Sequence, residues 1–337
     1  MSTPPTTSWA IDEGDFYELA THEDQMQFLL RYAILAPSGH NTQPWSFRIA
    51  AEGVQVFADT SRRLMIVDRN DRELLMSIGA AIANFRVAAA HFGFDTTVAY
   101  ETRSIESLPV AAILVRETCG PDPDLAALFP AIRNRHTNRE PFDEQPLDPA
   151  TTQTICDAID ASADTLRLIL PRDKERVAEC VESAERTLFA RPAYRAELAE
   201  WVGGQRNDGL PPEALNMPPL LSGIAPWLIR NIDAGAWQAP RVADLTRSAS
   251  MLVVVTSDED PTALVKAGEA FELLLLTVTR CGLQYSLLSA PVEVDETRER
   301  LRLLIGGTRQ PQLLVRIGFA PATARATPRR AVESVVV

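Results

Sequence analysis

The chain has 337 residues, which is long for a single hydrophobic core and comfortable for two domains. Hydrophobic residues make up 46% and charged residues 23%, a balance typical of globular proteins rather than of disordered or fibrous chains. The net charge of -12 argues against a general nucleic-acid binder, because affinity for phosphate backbones comes mainly from clustered lysine and arginine. The sequence therefore predicts a globular protein with two halves of ordinary size.

The sequence indicates neither a membrane-spanning segment nor a metal site. The N-terminus lacks the positive and apolar regions of a secretory signal, and no apolar run has the length of a bilayer span, which predicts a cytoplasmic protein. The cysteines lie far apart without a Cys-x-x-Cys pair, and the histidines show no metal-ligand spacing. We therefore expect no zinc site and no disulfide framework. The cysteines are Cys119, Cys156, Cys180 and Cys281, and the histidines are His22, His40, His91 and His136.

The first 120 or so residues contain clear helix and strand patterns, to within a few residues at each boundary. Residues 22–36 predict a helix that Pro37 closes. Residues 45–49 and 54–58 are short β-prone runs with a turn-length gap, which predicts a hairpin. A long helix follows over about Arg72–His91. The apolar run 109–115 is typical of a strand buried on both faces.

A partial repeat links the two halves of the chain. Gly79-Ala80-Ala81 is expected to open a helix that ends at Gly93, and Gly268-Glu269-Ala270 a second helix that ends at Gly282, with the same glycine spacing. Each helix is followed by an apolar strand. This repetition indicates an old duplication. The two strands are 111–115 and 313–317.

A segment rich in tryptophan and proline, Trp201 to Trp237, separates the two repeats. It shows no periodicity, and three tryptophans make disorder improbable. Long irregular segments inside compact proteins are usually functional loops. We therefore predict that residues 201–237 form a lid.

The most specific string is Ala36-Pro37-Ser38-Gly39-His40-Asn41-Thr42-Gln43-Pro44-Trp45, between a predicted helix and a predicted strand. Two prolines stiffen it, and Ser38 and Asn41 can both donate and accept hydrogen bonds. Such a loop could hold a planar heterocycle. The structural alternative is a helix end with Gly39 in the left-handed conformation and a turn after it.

As a whole this string resembles the flavin-binding loop of the nitroreductase family, Pro-Ser-x-x-Asn-x-Gln-Pro-Trp, at every fixed position. A second family signature, Arg-x-Ser-x-Arg, does not precede Pro37. A close relative of it stands in mid-chain as Arg135-His136-Thr137-Asn138-Arg139. Arg329 and Arg330 near the C-terminus resemble the basic pair of the family that reaches the phosphate. A basic run beside prolines could instead be a solvated linker with Thr137 as a helix cap.

The resemblance implies an α+β nitroreductase fold in two fused copies, each a mostly antiparallel sheet packed by helices. Ordinary nitroreductases are homodimers with the flavin at the interface, between the basic motif of one subunit and the loop of the other. This chain has one of each motif, in different halves. It therefore resembles the fused, pseudo-dimeric Acg-type branch of the family. We expect halves at 1–130 and 131–337, one FMN site between them, and a monomer, because the interface is internal.

The resemblance also assigns residues to the FMN. Arginines would supply positive charge to the phosphate and to the N1/O2 edge of the ring, and Thr137 would hydrogen-bond the ring edge. Ser289 and Ala290 would lie near N5. No side chain would act as a nucleophile, because the flavin carries the chemistry. The expected cofactor-binding residues are Pro37, Ser38, Gly39, Asn41, Arg135, His136, Thr137, Arg139, Ser289, Ala290, Arg329 and Arg330.

Three functions remain open at this point. The first is an oxidoreductase that passes electrons from NAD(P)H through FMN to a nitroaromatic or quinone acceptor. The second is a flavin-sequestering or storage protein, in which the lid covers the ring face that a nicotinamide needs. The third is a helical binding module with degenerate motifs, against which the intact loop argues.

Overall fold

We describe the fold from a computed structural model of the chain, which covers residues 7–101, 105–106, 108–203, 207–215, 217–320 and 324–337. Residues 204–206 and 216 of the predicted lid lie outside the described residues, as do residues 1–6 of the predicted first half.

The first half is a four-stranded antiparallel sheet packed by two long helices. Its strands, in the order β1-β2-β4-β3, are β1 (Trp45–Ala50), β2 (Gly53–Ala58), β3 (Phe94–Tyr100) and β4 (Ala111–Glu117). Helix α1 (His22–Ala33) begins at Thr21, whose hydroxyl accepts a hydrogen bond from the Asp24 N–H. Helix α2 (Arg72–His91) is almost entirely buried. Two short helices follow the sheet, α3 (Pro123–Ala126) and α4 (Phe129–Asn134).

The second half repeats this arrangement with additional helices. Its antiparallel sheet has the order β5-β6-β8-β7, with β5 (Leu166–Leu168), β6 (Met251–Ser257), β7 (Gln284–Leu288) and β8 (Gln310–Gly318). Its long central helix, equivalent to α2, is α10 (Pro261–Arg280). The other helices are α5 (Pro149–Asp160), α6 (Lys174–Ala190), α7 (Pro192–Trp201), α8 (Ala225–Asn231), α9 (Gly235–Arg247), α11 (Ala290–Glu293) and α12 (Asp295–Leu304).

Helices α2 and α10 pack against each other in the centre of the molecule, and two glycines allow their close approach. A Cβ added at Gly79 would lie 2.0 Å from the carbonyl oxygen of Val265, and one added at Gly268 would lie 2.0 Å from that of Met76. Each glycine therefore faces the carbonyl three residues before its counterpart. This reciprocity is what a pseudo-twofold axis between duplicated halves produces.

The second half also extends the sheet of the first half, and a segment near its own start extends its own sheet. The C-terminal tail pairs with β1, where the Phe47 N–H donates to the Val335 carbonyl (2.7 Å) and the Val337 N–H to the Phe47 carbonyl (2.8 Å). The segment after α4 pairs with β7, where the Asn138 N–H donates to the Tyr285 carbonyl (2.8 Å). Residues distant in sequence are thereby brought to the boundary between the sheets.

Most of the predicted elements are confirmed, and four predictions are wrong in detail. Helix α1 ends at Ala33, three residues earlier than predicted, because Leu35 and Ala36 already turn. Gly79 and Gly268 lie within their helices rather than at the start, since they serve the helix crossing. Strand β4 is buried on one face only, with Leu114 36% exposed. The segment 201–237 is less irregular than predicted, because it contains α8 and the beginning of α9.

Among the described residues, α2 is the one helix long and apolar enough to cross a membrane, and 89% of its apolar window is buried inside the protein. It is therefore a core helix of this fold.

Candidate functional site

The loop after α1 has an unusual backbone. Three non-glycine residues adopt the left-handed conformation, His40 (φ 47°), Asn41 (φ 56°) and Gln43 (φ 52°), whereas Gly39, the residue expected there, does not. Such conformations cost free energy and persist where surrounding contacts enforce them, often at functional sites. Here the Ser38 hydroxyl accepts a hydrogen bond from the Gln43 N–H (2.9 Å), and the Trp45 ring is fully buried beneath the loop.

Two arginines that are distant in sequence, one from mid-chain and one from near the C-terminus, bind the start of this loop. Arg135 Nη2 donates to the Leu35 carbonyl at 2.7 Å, and Arg329 Nη2 donates to the same carbonyl at 2.9 Å. Arg329 also donates to the Ala36 carbonyl (3.1 Å) and to Asn41 Oδ1 (2.9 Å). The structure therefore brings together the loop and the basic residues that the sequence assigned to one site.

The basic motif and the loop enclose a small cavity of about 60 Å³. Eight residues expected to bind the cofactor line it. Within the part of the chain that the structure describes, the lining contains four arginines and no carboxylate. The expected residues are Pro37, Ser38, Asn41, Arg135, His136, Thr137, Arg139 and Arg329, and the others are His40, Leu210, Leu287, Arg325 and Thr327.

The field in the cavity is strongly positive. Burial and, to a smaller extent, the charge of Arg135 together lower the pKa of Arg329 to about 9. Burial, with a smaller contribution from neighbouring arginine charges, likewise lowers the pKa of His40 to about 4 and that of His136 to about 3. Both imidazoles are therefore neutral at pH 7, and the guanidinium groups carry the charge. An anion in this cavity would relieve the repulsion between them.

One carboxyl group outside the cavity lining compensates part of the positive charge of the arginines. Glu272 on α10 is fully buried, and its Oε1 lies 3.0 Å from Arg135 Nε, an ion pair without the geometry of a hydrogen bond. Burial raises the pKa of Glu272 to about 7, while Arg135 and Arg329 act in the opposite direction. The Tyr285 hydroxyl accepts a hydrogen bond from Arg135 Nη1. These contacts fix the Arg135 side chain on one side of the cavity.

Residues 207–215, which we call the lid segment, close the site. Asn41 Nδ2 donates to the Gly209 carbonyl (2.8 Å), and the Gly209 N–H donates to the Asn41 carbonyl (3.1 Å). Arg62, beside the loop, forms an ion pair with Asp208 and lies over the Trp201 ring, 5.5 Å from its centroid. Leu210 lines the cavity directly. These contacts hold the lid segment against the loop.

Four of the expected residues lie elsewhere. Gly39 packs against Glu73, and Arg330 binds the Gln43 carbonyl and Asp59, so neither lines the cavity. Ser289 precedes α11, and its carbonyl accepts a hydrogen bond from the Glu293 N–H (3.2 Å). Ala290 is buried in an apolar cluster with Leu64 and Leu210.

Sequence reasoning missed Glu272, Tyr285 and Arg325. Glu272 carries the one available signal, a carboxylate within an otherwise apolar stretch of α10, which predicts a buried charge with a partner. Tyr285 and Arg325 have no motif, and only the three-dimensional fold brings them to the site.

The donor set of the cavity fits a phosphorylated, anion-forming heterocycle. Arg329 Nε and His40 Nε2 are buried without a hydrogen-bond partner, so these two atoms can form hydrogen bonds with a bound ligand. The closed cavity would hold about two water molecules. A tricyclic ring therefore fits only if the lid segment moves away from the loop.

Comparison with known proteins agrees with the two-copy fold. No model of a known protein family matches the chain. A Mycobacterium tuberculosis protein whose name assigns it as an NAD(P)H nitroreductase, Rv3131, is 30% identical over 337 residues, covering 97% of this chain and 96% of that protein. The Acg protein of the same organism, assigned likewise, is 29% identical and covers 93% of this chain and 95% of its own length.

A solved structure from Anabaena variabilis, described as a nitroreductase, superposes with a TM-score of 0.50. It covers 92% of this chain at 9% sequence identity, which shows a shared fold. With full-length similarity to Acg-type proteins, a shared fold, and the two family motifs meeting at one cavity, the chain belongs to the nitroreductase family.

Proposed function

We propose that this protein binds one FMN between its two halves and acts as an oxidoreductase of the nitroreductase type, from NAD(P)H to a nitroaromatic or quinone acceptor. The observation that carries the proposal is the cavity lining, in which four arginines meet the Pro37-Ser38 loop and no carboxylate is present among the described residues. A positive site of this kind stabilises a phosphate and the negative charge of a reduced flavin.

Arg139, Thr137 and Ser38 are the residues that would hold the cofactor most directly, because they line the cavity and keep some accessible surface. Arg135 and Arg329 would act mainly through their charge, since their N–H groups already bind the Leu35 and Ala36 carbonyls. The bound flavin would supply the hydride chemistry at its N5. The protein would orient it and provide the positive field.

The second candidate, a flavin-sequestering protein, is supported by the lid segment. Its contacts with Asn41 and Arg62 cover the loop on the side of Leu210. A nicotinamide would need that covered space to stack on the ring. The two candidates share the same cofactor contacts and differ in how readily the lid segment opens.

Three further expectations accompany the proposal. The halves divide near residue 130, since β1–β4 precede that position and β5–β8 follow it. The protein is a monomer, because α2 and α10 already form the internal interface. It acts in the cytoplasm, with FMN, NAD(P)H and a small aromatic acceptor as its partners and no nucleic acid or membrane.

The visible spectrum tests the proposal. The purified protein should show the absorption of bound flavin or acquire it on addition of FMN. Anaerobic addition of NADPH or NADH should then bleach the flavin band if the protein is an oxidoreductase. An unchanged band with slow flavin release would instead support sequestration.

A further inference from the structure

The buried carboxyl group of Glu272 has no part in the proposed function as stated so far. It lies on α10 and has no exposed surface. Its Oε1 is 3.0 Å from Nε of Arg135, which lines the cavity and is itself only 2% exposed. The other oxygen, Oε2, is buried without a hydrogen-bond partner. Glu272 is therefore separated from the cavity by a single side chain.

A second polar side chain connects Glu272 to the flavin loop. Asn84 on α2, oriented so that both atoms of its amide have partners, donates from Nδ2 to Glu272 Oε1 (3.0 Å) and accepts the Ala36 N–H (3.2 Å). Arg135 in turn donates from Nη2 to the Leu35 carbonyl (2.7 Å). Through these two partners the carboxyl group is connected to the residues at which the loop begins.

The duplicated helices show that the helix crossing does not need this carboxyl group. Glu272 stands four residues after Gly268, and the residue four positions after Gly79 in the other helix is Ala83. Ala83 is buried as well, so a methyl group fills the corresponding place on α2. Buried ion pairs are often no more stabilising than well-packed apolar side chains. The carboxyl group at position 272 therefore points to a function in the site.

The negative charge of Glu272 opposes the positive charge of the cavity. The lining holds four arginines and no carboxylate in the described part of the chain, and Glu272 forms an ion pair with one of these arginines. Charges act over longer distances in a protein interior than in water, so Glu272 would repel an anion that the arginines attract. Hydride transfer from NAD(P)H brings two electrons and one proton to FMN, which adds one negative charge. Reduced flavin would therefore be repelled more than oxidised flavin.

We propose that Glu272 is the buried counter-ion of the site, which positions Arg135 and limits the positive charge that acts on a bound anion. The same charge keeps the site from binding reduced flavin so tightly that its electrons could not be passed on. Glu272 is a positioning residue, because it contacts Arg135 and does not line the cavity. The part of the inference that concerns reduction rests on the proposed function, whereas the part that concerns anions does not.

Binding of inorganic phosphate to the flavin-free, full-length protein tests the inference. Calorimetric titration at pH 8 is suitable, because burial raises the pKa of Glu272 only to about 7 and the group is then ionised in the unmodified protein. Glu272→Gln keeps the shape of the side chain and removes its charge. We expect this variant to bind phosphate about tenfold more tightly. A purely structural role predicts the opposite sign, since a displaced Arg135 would weaken binding.

Glu269→Gln is the matched control, because Glu269 is a second buried carboxylate on α10, just under one turn before Glu272. It is 5% exposed and forms an ion pair with Arg86 (2.8 Å), which does not line the cavity. This variant should bind phosphate as the unmodified protein does. Glu272→Met, which is neutral and of similar length, is an independent second variant if Glu272→Gln does not fold. Phosphate binding that is absent, unchanged or weaker in the Glu272 variants, or equally tightened in the control, would overturn the inference.

The reduction potential of bound flavin provides a second measurement. Removal of the opposing charge should favour the reduced form, so Glu272→Gln should raise the ratio of reduced-flavin to oxidised-flavin affinity about tenfold. For two electrons this ratio corresponds to a midpoint potential about 30 mV more positive. Anaerobic titration against a redox dye measures this potential. A potential that is unchanged or more negative would contradict the assigned role.

The two measurements separate the inference from the proposed function. A yellow protein in which Glu272→Gln alters neither phosphate affinity nor potential would refute the inference alone. A protein that takes up no FMN but binds phosphate more tightly in Glu272→Gln would refute the proposed function alone.

Discussion

Arg329 Nη1 donates a hydrogen bond to Asn41 Oδ1 at 2.9 Å, joining residues that are 288 positions apart in the sequence. The amide of Asn41 donates to the Gly209 carbonyl (2.8 Å) and the Pro328 carbonyl (3.0 Å). One side chain of the loop therefore connects the first half, the C-terminal tail and the lid segment. This connection explains why Asn41 keeps its left-handed backbone in a buried position.

Replacement of Asn41 should therefore affect the stability of the protein as well as the binding of FMN. We expect Asn41→Ala to lower the free energy of unfolding by about 1–3 kcal/mol, because Arg329 loses one of its acceptors and the buried Gly209 and Pro328 carbonyls lose a donor. Urea denaturation measures this change. Asn41→Asp keeps the acceptor and loses both donors, so it should open the lid segment while retaining the Arg329 contact. Equal stability of Asn41→Ala and the unmodified protein would contradict the role assigned to this contact.

Removal of the Arg139 charge should weaken the binding of the cofactor directly. Arg139 lines the cavity beside Ser38 and keeps some accessible surface, so its guanidinium charge acts on an anion placed there. We expect Arg139→Ala to weaken FMN binding by about 1–3 kcal/mol, measured by quenching of flavin fluorescence. Arg300→Ala, at an exposed position on α12, should bind FMN normally. Undiminished affinity in Arg139→Ala would remove this residue from the site.

The ion pair between Arg62 and Asp208 should control the rate at which flavin enters. We expect Asp208→Asn to accelerate both FMN uptake and FMN release, because the charge that holds the lid segment to Arg62 is lost. Stopped-flow fluorescence measures both rates. Glu213→Gln is a suitable control. Glu213 belongs to the same lid segment, but its carboxylate accepts a hydrogen bond from Ser222 and does not contact Arg62 in the way that Asp208 does. Identical rates in Asp208→Asn and the control would show that the lid segment does not limit entry.

The central helix crossing should not tolerate a side chain at either glycine. The added Cβ of Gly79→Ala or Gly268→Ala would meet a backbone carbonyl oxygen at 2.0 Å, so α2 and α10 would have to separate. We expect each variant to lose about 3 kcal/mol of unfolding free energy, as overpacked cores do. Gly120→Ala, where a Cβ meets nothing within 4 Å, should stay within about 0.5 kcal/mol of the unmodified protein. If Gly79→Ala and Gly268→Ala were as thermally stable as Gly120→Ala, that result would contradict the described helix crossing.

Stability should fall as pH rises from about 6.5 to about 8. His40 and His136 have lowered pKa values, about 4 and about 3, so their contribution to stability rises with pH up to about 6.5 and is constant above that value. The raised pKa values of Glu272 and Glu293, about 7, and of Glu185, about 8, act in the opposite direction from about pH 4.5 upward, and above pH 6.5 the histidines no longer oppose them. Urea unfolding at several pH values measures the profile, and Glu293→Gln should reduce the fall. A profile that rises through pH 8 would contradict these assignments.

Much of the fold could be predicted because its signals are local. Proline and glycine mark the ends of α1, alternating residues mark β1 and β2, and the Gly79 and Gly268 repeat marks the duplicated helices. The details of helices and strands that were predicted wrongly depend on tertiary contacts. Leu114 lies on the exposed face of β4, and neither its residue type nor its sequence neighbours could reveal this.

The site was predictable where a motif exists and not where the fold alone creates it. The loop at Ser38 and the basic motif at Arg135 line one cavity, as the division of motifs between the halves suggested. Ser289 does not line the cavity and instead begins the turn of α11 that leads to Glu293. Glu272 and Tyr285 come from long-range packing that no local pattern encodes.

The central claim is that one flavin binds where the loop meets the arginines, and a titration of the purified protein with FMN tests it most directly. We predict one FMN per chain, with a change in the visible spectrum that Arg139→Ala weakens and Arg300→Ala does not. A colourless protein whose spectrum and fluorescence remain those of free FMN at every concentration would contradict the account.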